Sequence, residues 1–180
     1  MTGNGSAAKL ACLMSPELPQ SVDLSQLADA NETLSGIVQV GAMGRLRSAV
    51  MQVTGPVAVN ITFSRDDDAA IYLSGDCRVT VGVQCQRCLL PMQLELHSDI
   101  AIVVVNDEAG IEQVQAEPLI NPGNKLDLTE FVEDEILLAL PIAPMHPVDE
   151  CDAARSVQAD GGKPDNPFAV LKDLLNTEKP

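Results

Sequence analysis

The chain has 180 residues, of which 46% are hydrophobic, enough to bury a single core and too few for several domains. Three Phe, one Tyr and no Trp exclude an aromatic stacking platform for single-stranded nucleic acid, so the core must be built from Val, Leu, Ile, Ala and Met. The net charge of -15, with sixteen of the acidic groups after residue 100, opposes binding to a phosphate backbone and favours encounter with a basic protein.

Residues 1–20, with Gly, Ser and two prolines, read as a loose N-terminal segment. Its only apolar patch, Leu10–Met14, is shorter than the roughly seven to fifteen residues of a secretory signal. No run approaches the roughly 18 apolar residues of a membrane span. The expectation is a cytoplasmic protein whose five cysteines are reduced. From Val22 to Asn31, Leu24, Leu27 and Ala28 fall at helical spacing. Gly36–Val40 reads as a short strand, and Met43–Val50 as a second short helix carrying Arg45 and Arg47. Pro56–Ser64 alternates Val57, Val59, Ile61 and Phe63 with small or polar residues, the period of two expected of a half-buried strand. Arg65–Asp68 is a turn. Ala69–Gln84 continues as a bent strand or strand pair, with Gly75 and Gly82 as candidate bulges and Val79, Val81 and Val83 pointing inward. Leu90–Val105 is a further strand, and Asn106–Gln115 an acidic loop. Short connections between successive strands imply antiparallel pairing.

A helix follows Lys125. Asp127 is placed to cap it, Glu130 sits three residues on, and Leu128, Val132, Ile136, Ala139 and Leu140 share one face before Pro141 ends it. Glu130, Glu133, Asp134 and Glu135 then read as a solvated polar face. The fold class is α+β over residues 21–141, an antiparallel sheet of about five or six strands packed with three or four short helices. Residues 142–165 read as an acidic irregular linker. Asn166–Pro167 opens a C-terminal amphipathic helix over 166–176, with Phe168, Leu171 and Leu174 in its apolar stripe as candidate interaction residues.

The chemistry-bearing element is Val83-Gln84-Cys85-Gln86-Arg87-Cys88-Leu89. Two thiolates at i and i+3 in a turn can share one metal ion, for which zinc is the natural candidate, and His146 and Cys151 can complete a Cys-Cys-His-Cys set. Other readings stay open: a reduced pair closing a β-turn, or thiol-based redox exchange, which ordinarily needs the pair to begin a helix. Arg87, a candidate interaction residue, either contacts phosphate at a protruding turn or simply solvates the turn. His97 reads as structural, Cys77 as packing, and no serine elbow or phosphate-cradling loop is present.

Three ordered segments, the Cys85–Cys88 turn, Leu128–Pro141 and Asn166-Pro167-Phe168-Ala169-Val170-Leu171-Lys172-Asp173-Leu174, together resemble the bacterial YceD family of large ribosomal RNA subunit accumulation proteins. The resemblance implies a non-enzymatic factor in synthesis, processing or stability of 23S ribosomal RNA, with further Cys or His ligands in the segment that here holds His146 and Cys151. Combined with the charge, it implies a basic protein of ribosome assembly or RNA processing as partner, and weak direct RNA binding at most. The competing expectation is a redox or zinc-handling protein using Cys85 and Cys88.

Overall fold

In the computed structural model, residues 16–111 and 116–151 are described. Twelve elements follow one another in them. Strand β1 (Ser21–Asp23) leads into helix α1 (Leu24–Asp29), then β2 (Thr33–Val38), a single 3-10 turn (Val40–Ala42) and α2 (Gly44–Ala49). Three long strands come next, β3 (Gln52–Arg65), β4 (Ile71–Gln84) and β5 (Pro91–Val105). The one-turn helix α3 (Glu108–Ile111), strands β6 (Glu117–Ile120) and β7 (Lys125–Asp127), and helix α4 (Leu128–Ala139) complete the order.

The main sheet has the order β2-β3-β4-β5-β6, and β1 pairs β7 in a separate ribbon. The α+β class therefore holds. The sheet is mostly antiparallel; the exception is β6, which runs parallel to the end of β5 through Ile102↔Glu117 to Val105↔Ile120. Alternation explains the long strands directly: Val57, Val59, Ile61 and Phe63 of β3 and Val79, Val81 and Val83 of β4 all lie buried on the helix-covered face. The helices contribute Leu24 and Ala28 from α1, Leu46 from α2, and Leu128, Phe131, Val132 and Ile136 from α4. The core is aliphatic, with Phe63 its largest fully buried side chain.

Three details depart from the sequence reading. Strand β4 is unbroken in register against β5; the irregularity lies in β3, between Thr54 and Ala58, where Gly55 has φ +80°. Gly75 instead answers a close approach, since a Cβ there would sit 1.9 Å from the Asn60 carbonyl oxygen on β3. Part of the expected acidic loop after Val105 is helix α3. The stretch before Ser21 is not wholly loose: Leu18 N–H donates to the Ile37 carbonyl, and Ile37 N–H to the Pro16 carbonyl, at 2.9 Å each.

Helix α4 starts as its sequence requires, with the Asp127 carboxylate accepting the Glu130 N–H at 3.0 Å. Its acidic face is not uniformly solvated, however. Glu133 and Glu135 are buried, 5% and 9% exposed. Glu133 reaches α2, where Oε1 accepts the Leu46 N–H at 2.9 Å and Oε2 accepts from Arg45 Nε at 3.0 Å. Because Met43, the residue before α2, supplies no side-chain cap, a carboxylate from another helix does that work. Glu135 Oε2 accepts from the Ser98 hydroxyl at 2.8 Å, and burial holds its pKa above the ordinary carboxylate value. Among the described residues no helix is long and apolar enough to cross a membrane.

Candidate metal centre

Strands β4 and β5 pair to their last residues, Gln84 against Pro91, leaving Cys85–Leu90 as the connection between them. Cys85 N–H donates to the Leu90 carbonyl and Leu89 N–H to the Cys85 carbonyl, both at 2.9 Å, so the turn doubles back on itself. Leu89 adopts φ +63°, a left-handed conformation that costs a non-glycine residue roughly 1–2 kcal/mol. The strain falls at the residue after Cys88, where the sequence carries no glycine to relieve it. Backbone strain kept at one position in a tight turn marks a geometry that the surroundings over-determine.

The segment after α4 supplies those surroundings. Pro141 ends the helix, and the chain then runs past the turn without helix or strand as far as Cys151. Gln86 N–H donates to the Pro144 carbonyl at 2.8 Å, and His146 N–H points at Cys85 Sγ at 3.4 Å. Arg87, between the two cysteines, turns inward: Nη2 donates to the His146 carbonyl at 2.6 Å and Nε to Cys151 Sγ at 3.1 Å. It therefore neither projects towards a partner nor merely solvates the turn; it clamps the two segments together.

The result is a cluster of Cys85, Cys88, His146 and Cys151 whose candidate ligand atoms all lie within 4.8 Å of one another. Cys88 Sγ and His146 Nδ1 are 3.3 Å apart. Cys85 and Cys151 are fully buried, and Cys88 and His146 partly so. Burial pushes the Cys85 thiol up, but hydrogen bonds from the backbone of Cys88, His146 and Arg87 outweigh it and bring the pKa down to about 5. Cys88 lies above its usual value despite a backbone hydrogen bond at Leu90, because burial and the neighbouring sulfurs of Cys85 and Cys151 disfavour a second thiolate. Negative charge concentrated among adjacent sulfurs is what a bound cation would neutralise. Cys77 is separate: it is buried on β4 among apolar side chains, and burial with nearby Glu135 and Asp76 pushes its thiol up to about 12, in keeping with packing.

The redox reading loses its structural requirement here. The pair closes a hairpin and is followed by β5, so it does not begin a helix, and among the described residues no helix starts at either cysteine. His97 lies on the open face of β5, with Nε2 at 3.4 Å from Asp99 and 3.9 Å from Asp76. Arg45 is committed to Glu133 and Asp134, so Arg45 and Arg47 do not form a free basic pair. Phe168, Leu171 and Leu174 lie outside the described residues, as does the helix expected to carry them.

Comparison with known proteins gives a consistent answer. A family model described as "Large ribosomal RNA subunit accumulation protein YceD" matches residues 73–175, which takes in the cysteine turn, α4 and the C-terminal Asn-Pro-Phe segment. A protein of Haemophilus influenzae that bears the same description is 30% identical over 167 residues, covering 88% of this chain and 96% of the relative. No solved structure matches.

Proposed function

The chain belongs to the YceD family of large ribosomal RNA subunit accumulation proteins, and from that premise we propose that it sustains the level of 23S ribosomal RNA in the cytoplasm as a non-enzymatic factor working through a basic protein. The observation that carries the RNA role is the match itself, which spans nearly the whole of the relative. Charge supports the route through a protein. Of the described arginines, Arg45 pairs with Glu133 and Asp134, Arg65 with Asp29, Arg78 with Asp76, and Arg87 with the Cys151–His146 segment. Exposed Arg47 and Lys125 stand outside these pairs, and the rest of the charge that the described surface offers a long-range partner is mostly carboxylate, which steers Lys/Arg-rich chains and repels phosphate.

In this reading Cys85, Cys88, His146 and Cys151 hold a structural zinc ion. The donor set fits: three thiols and one imidazole match the composition of closed, four-coordinate sites, and among the described residues no fifth candidate ligand stands beside them. A closed site binds no substrate. When bound, the metal would supply a cross-link between the β4–β5 turn and the segment after α4. The chain's own part is to hold Cys85 as a thiolate, to pin Cys151 through Arg87, and to bury both sulfurs.

The test has three arms. In bacterial cells depleted of this protein, the ratio of 23S to 16S ribosomal RNA should fall and be restored by the wild-type gene. An unchanged ratio in the depleted cells refutes the RNA role. Elemental analysis of reduced protein purified without added metal should give about one zinc per chain, lost in Cys85→Ser with Cys88→Ser; an equal metal content in that variant refutes the site. Affinity capture with and without nuclease separates the partners, since a basic protein retained after nuclease is the expected result.

A further inference from the structure

The four ligands of the cysteine cluster do not by themselves give an uncharged centre. Cysteine binds zinc as the thiolate and histidine as the neutral imidazole, so three cysteines and one histidine around a divalent ion leave one negative charge in excess. Two of the three sulfurs belong to the fully buried Cys85 and Cys151. A charge held away from water is costly unless an opposite charge and hydrogen bonds meet it.

We propose that Arg87 is the counter-charge of this centre: its guanidinium neutralises the Cys151 thiolate and so lets a buried set of three sulfurs and one imidazole close around a divalent ion. The role rests on reading the cluster as a metal site, and goes beyond that reading in saying what makes the donor set tenable. Three observations carry it. The first is contact. Arg87 Nε donates to Cys151 Sγ at 3.1 Å and Nη2 to the His146 carbonyl at 2.6 Å. These nitrogens lie along one edge of the planar guanidinium, so a single fork meets one ligand's sulfur and another ligand's backbone. The second is that nothing else serves Cys151. Cys85 Sγ is met by backbone N–H groups, that of His146 at 3.4 Å among them, and Cys88 Sγ lies 3.3 Å from His146 Nδ1. Among the described residues Cys151 Sγ has no hydrogen-bond donor but Arg87, and no other Lys or Arg side chain bonds to a cluster atom. Arg45, Arg65 and Arg78 are paired with carboxylates elsewhere. Exposed Asp149 and Glu150, next to Cys151 in the chain, add negative charge there. The third is position. Arg87 stands between the two ligands of the turn, while Cys151 comes from 64 residues along the chain, so the contact joins the two halves of the ligand set without passing through the metal.

Competition between the reduced full-length protein and a chromophoric zinc chelator tests the proposal. Arg87→Met keeps an unbranched side chain and loses the charge, and should weaken zinc binding by about 10–100-fold. Arg87→Lys restores the charge without the fork and should recover more than half of that loss on a logarithmic scale. The deciding arm is a double-mutant cycle with Cys151→Ala. There two thiolates match the charge of the ion, so adding Arg87→Met should cost less than about threefold. Far-ultraviolet circular dichroism of the metal-free proteins checks folding, and Arg87→Gln replaces Arg87→Met in the same cycle if the latter does not fold. A loss below about threefold for the uncharged variant with Cys151 present overturns the proposal, and so does Arg87→Lys binding as weakly as Arg87→Met. An equal loss with and without Cys151 overturns it too, and makes Arg87 a strap acting through the His146 carbonyl. Wild type that binds no zinc refutes the site itself, whereas zinc bound equally tightly by all the Arg87 variants leaves the site standing and refutes only the role of Arg87.

Discussion

Replacing Glu133 with Ala is the sharpest test of how α2 and α4 are joined. Glu133 Oε1 accepts the Leu46 N–H at 2.9 Å, and Leu46 is fully buried, so truncation leaves a backbone donor without a partner in a place water does not reach. Such an orphaned group costs about 1–3 kcal/mol. The lost ion pair adds less, because the Arg45 side chain is 50% exposed and its charge is screened by solvent. A loss of about 2 kcal/mol lowers the melting temperature by roughly 4–8 °C in a domain of this size. Glu133→Gln separates the two contributions. Its amide oxygen can still accept from Leu46, so it should retain more than half of the stability that Ala loses, and the difference between Glu and Gln should shrink at high salt. Arg45→Ala should cost less than Glu133→Ala. Urea unfolding followed by far-ultraviolet circular dichroism, with all four proteins at pH 7, gives the ranking. If Gln is as damaging as Ala, or Arg45→Ala the worst of the three, the carboxylate is chiefly an ion-pair partner and the capping argument fails.

Gly75→Ala should destabilise by several kcal/mol, since the added methyl meets the Asn60 carbonyl at 1.9 Å; a change under about 1 kcal/mol in urea unfolding would show that the strands can part there. Leu89→Gly should leave the fold intact and stabilise it slightly, by about 1 kcal/mol at most, because glycine relieves the left-handed conformation at an exposed position; a lower melting temperature would show that its side chain packs productively. Burial raises the pKa of Glu135 in the folded state, so the native chain holds that proton more tightly than the unfolded chain, and the stability this gives is lost as pH rises through the folded value. Glu135→Gln should therefore raise the melting temperature at neutral pH, with the gain vanishing below the ordinary carboxylate range; a gain that grows on acidification would refute the assignment. Removing zinc with a chelator should lower the melting temperature of wild type and leave Cys85→Ser with Cys88→Ser unaffected, as scanning calorimetry can show.

Much of the architecture was legible because it is written in local patterns. Alternation in 57–63 and 79–83 marks which side chains enter the core, and Asp127 with the apolar spacing of 128–136 defines α4. The four-residue group at the candidate metal centre was legible for another reason: cysteine and histidine are rare here, so few combinations exist. What could not be read depends on partners far along the chain. Glu133 and Glu135 sit at helical positions that periodicity assigns to solvent, and their burial is decided by Leu46 and Ser98, which lie 87 and 37 residues away. Strand β6 is four residues long, too short for a period of two to stand out, and its parallel pairing with the end of β5 leaves no mark in a local pattern. The inward turn of Arg87 needed the position of residues 146–151, which no motif announces.

The small ribbon formed by β1 and β7 has a consequence for the order in which the molecule assembles. Strands β2 to β5 pair each with the next in sequence, so this meander can form as it emerges during synthesis. Val22, by contrast, pairs with Leu126, and the Gln20 carbonyl receives the N–H of Leu128, the first residue of α4. Closing a loop of about 100 residues costs roughly 4 kcal/mol of chain entropy, which must be met by the docking of α4. At about 5–20 residues per second the N-terminal strand waits roughly 5–20 s for its partner to be made. During that wait Leu24, Ala28 and the inner face of the sheet have no α4 to cover them. A nascent chain of this protein is therefore most open to chaperones, and to premature contact with its neighbours, just before residue 140 leaves the ribosome.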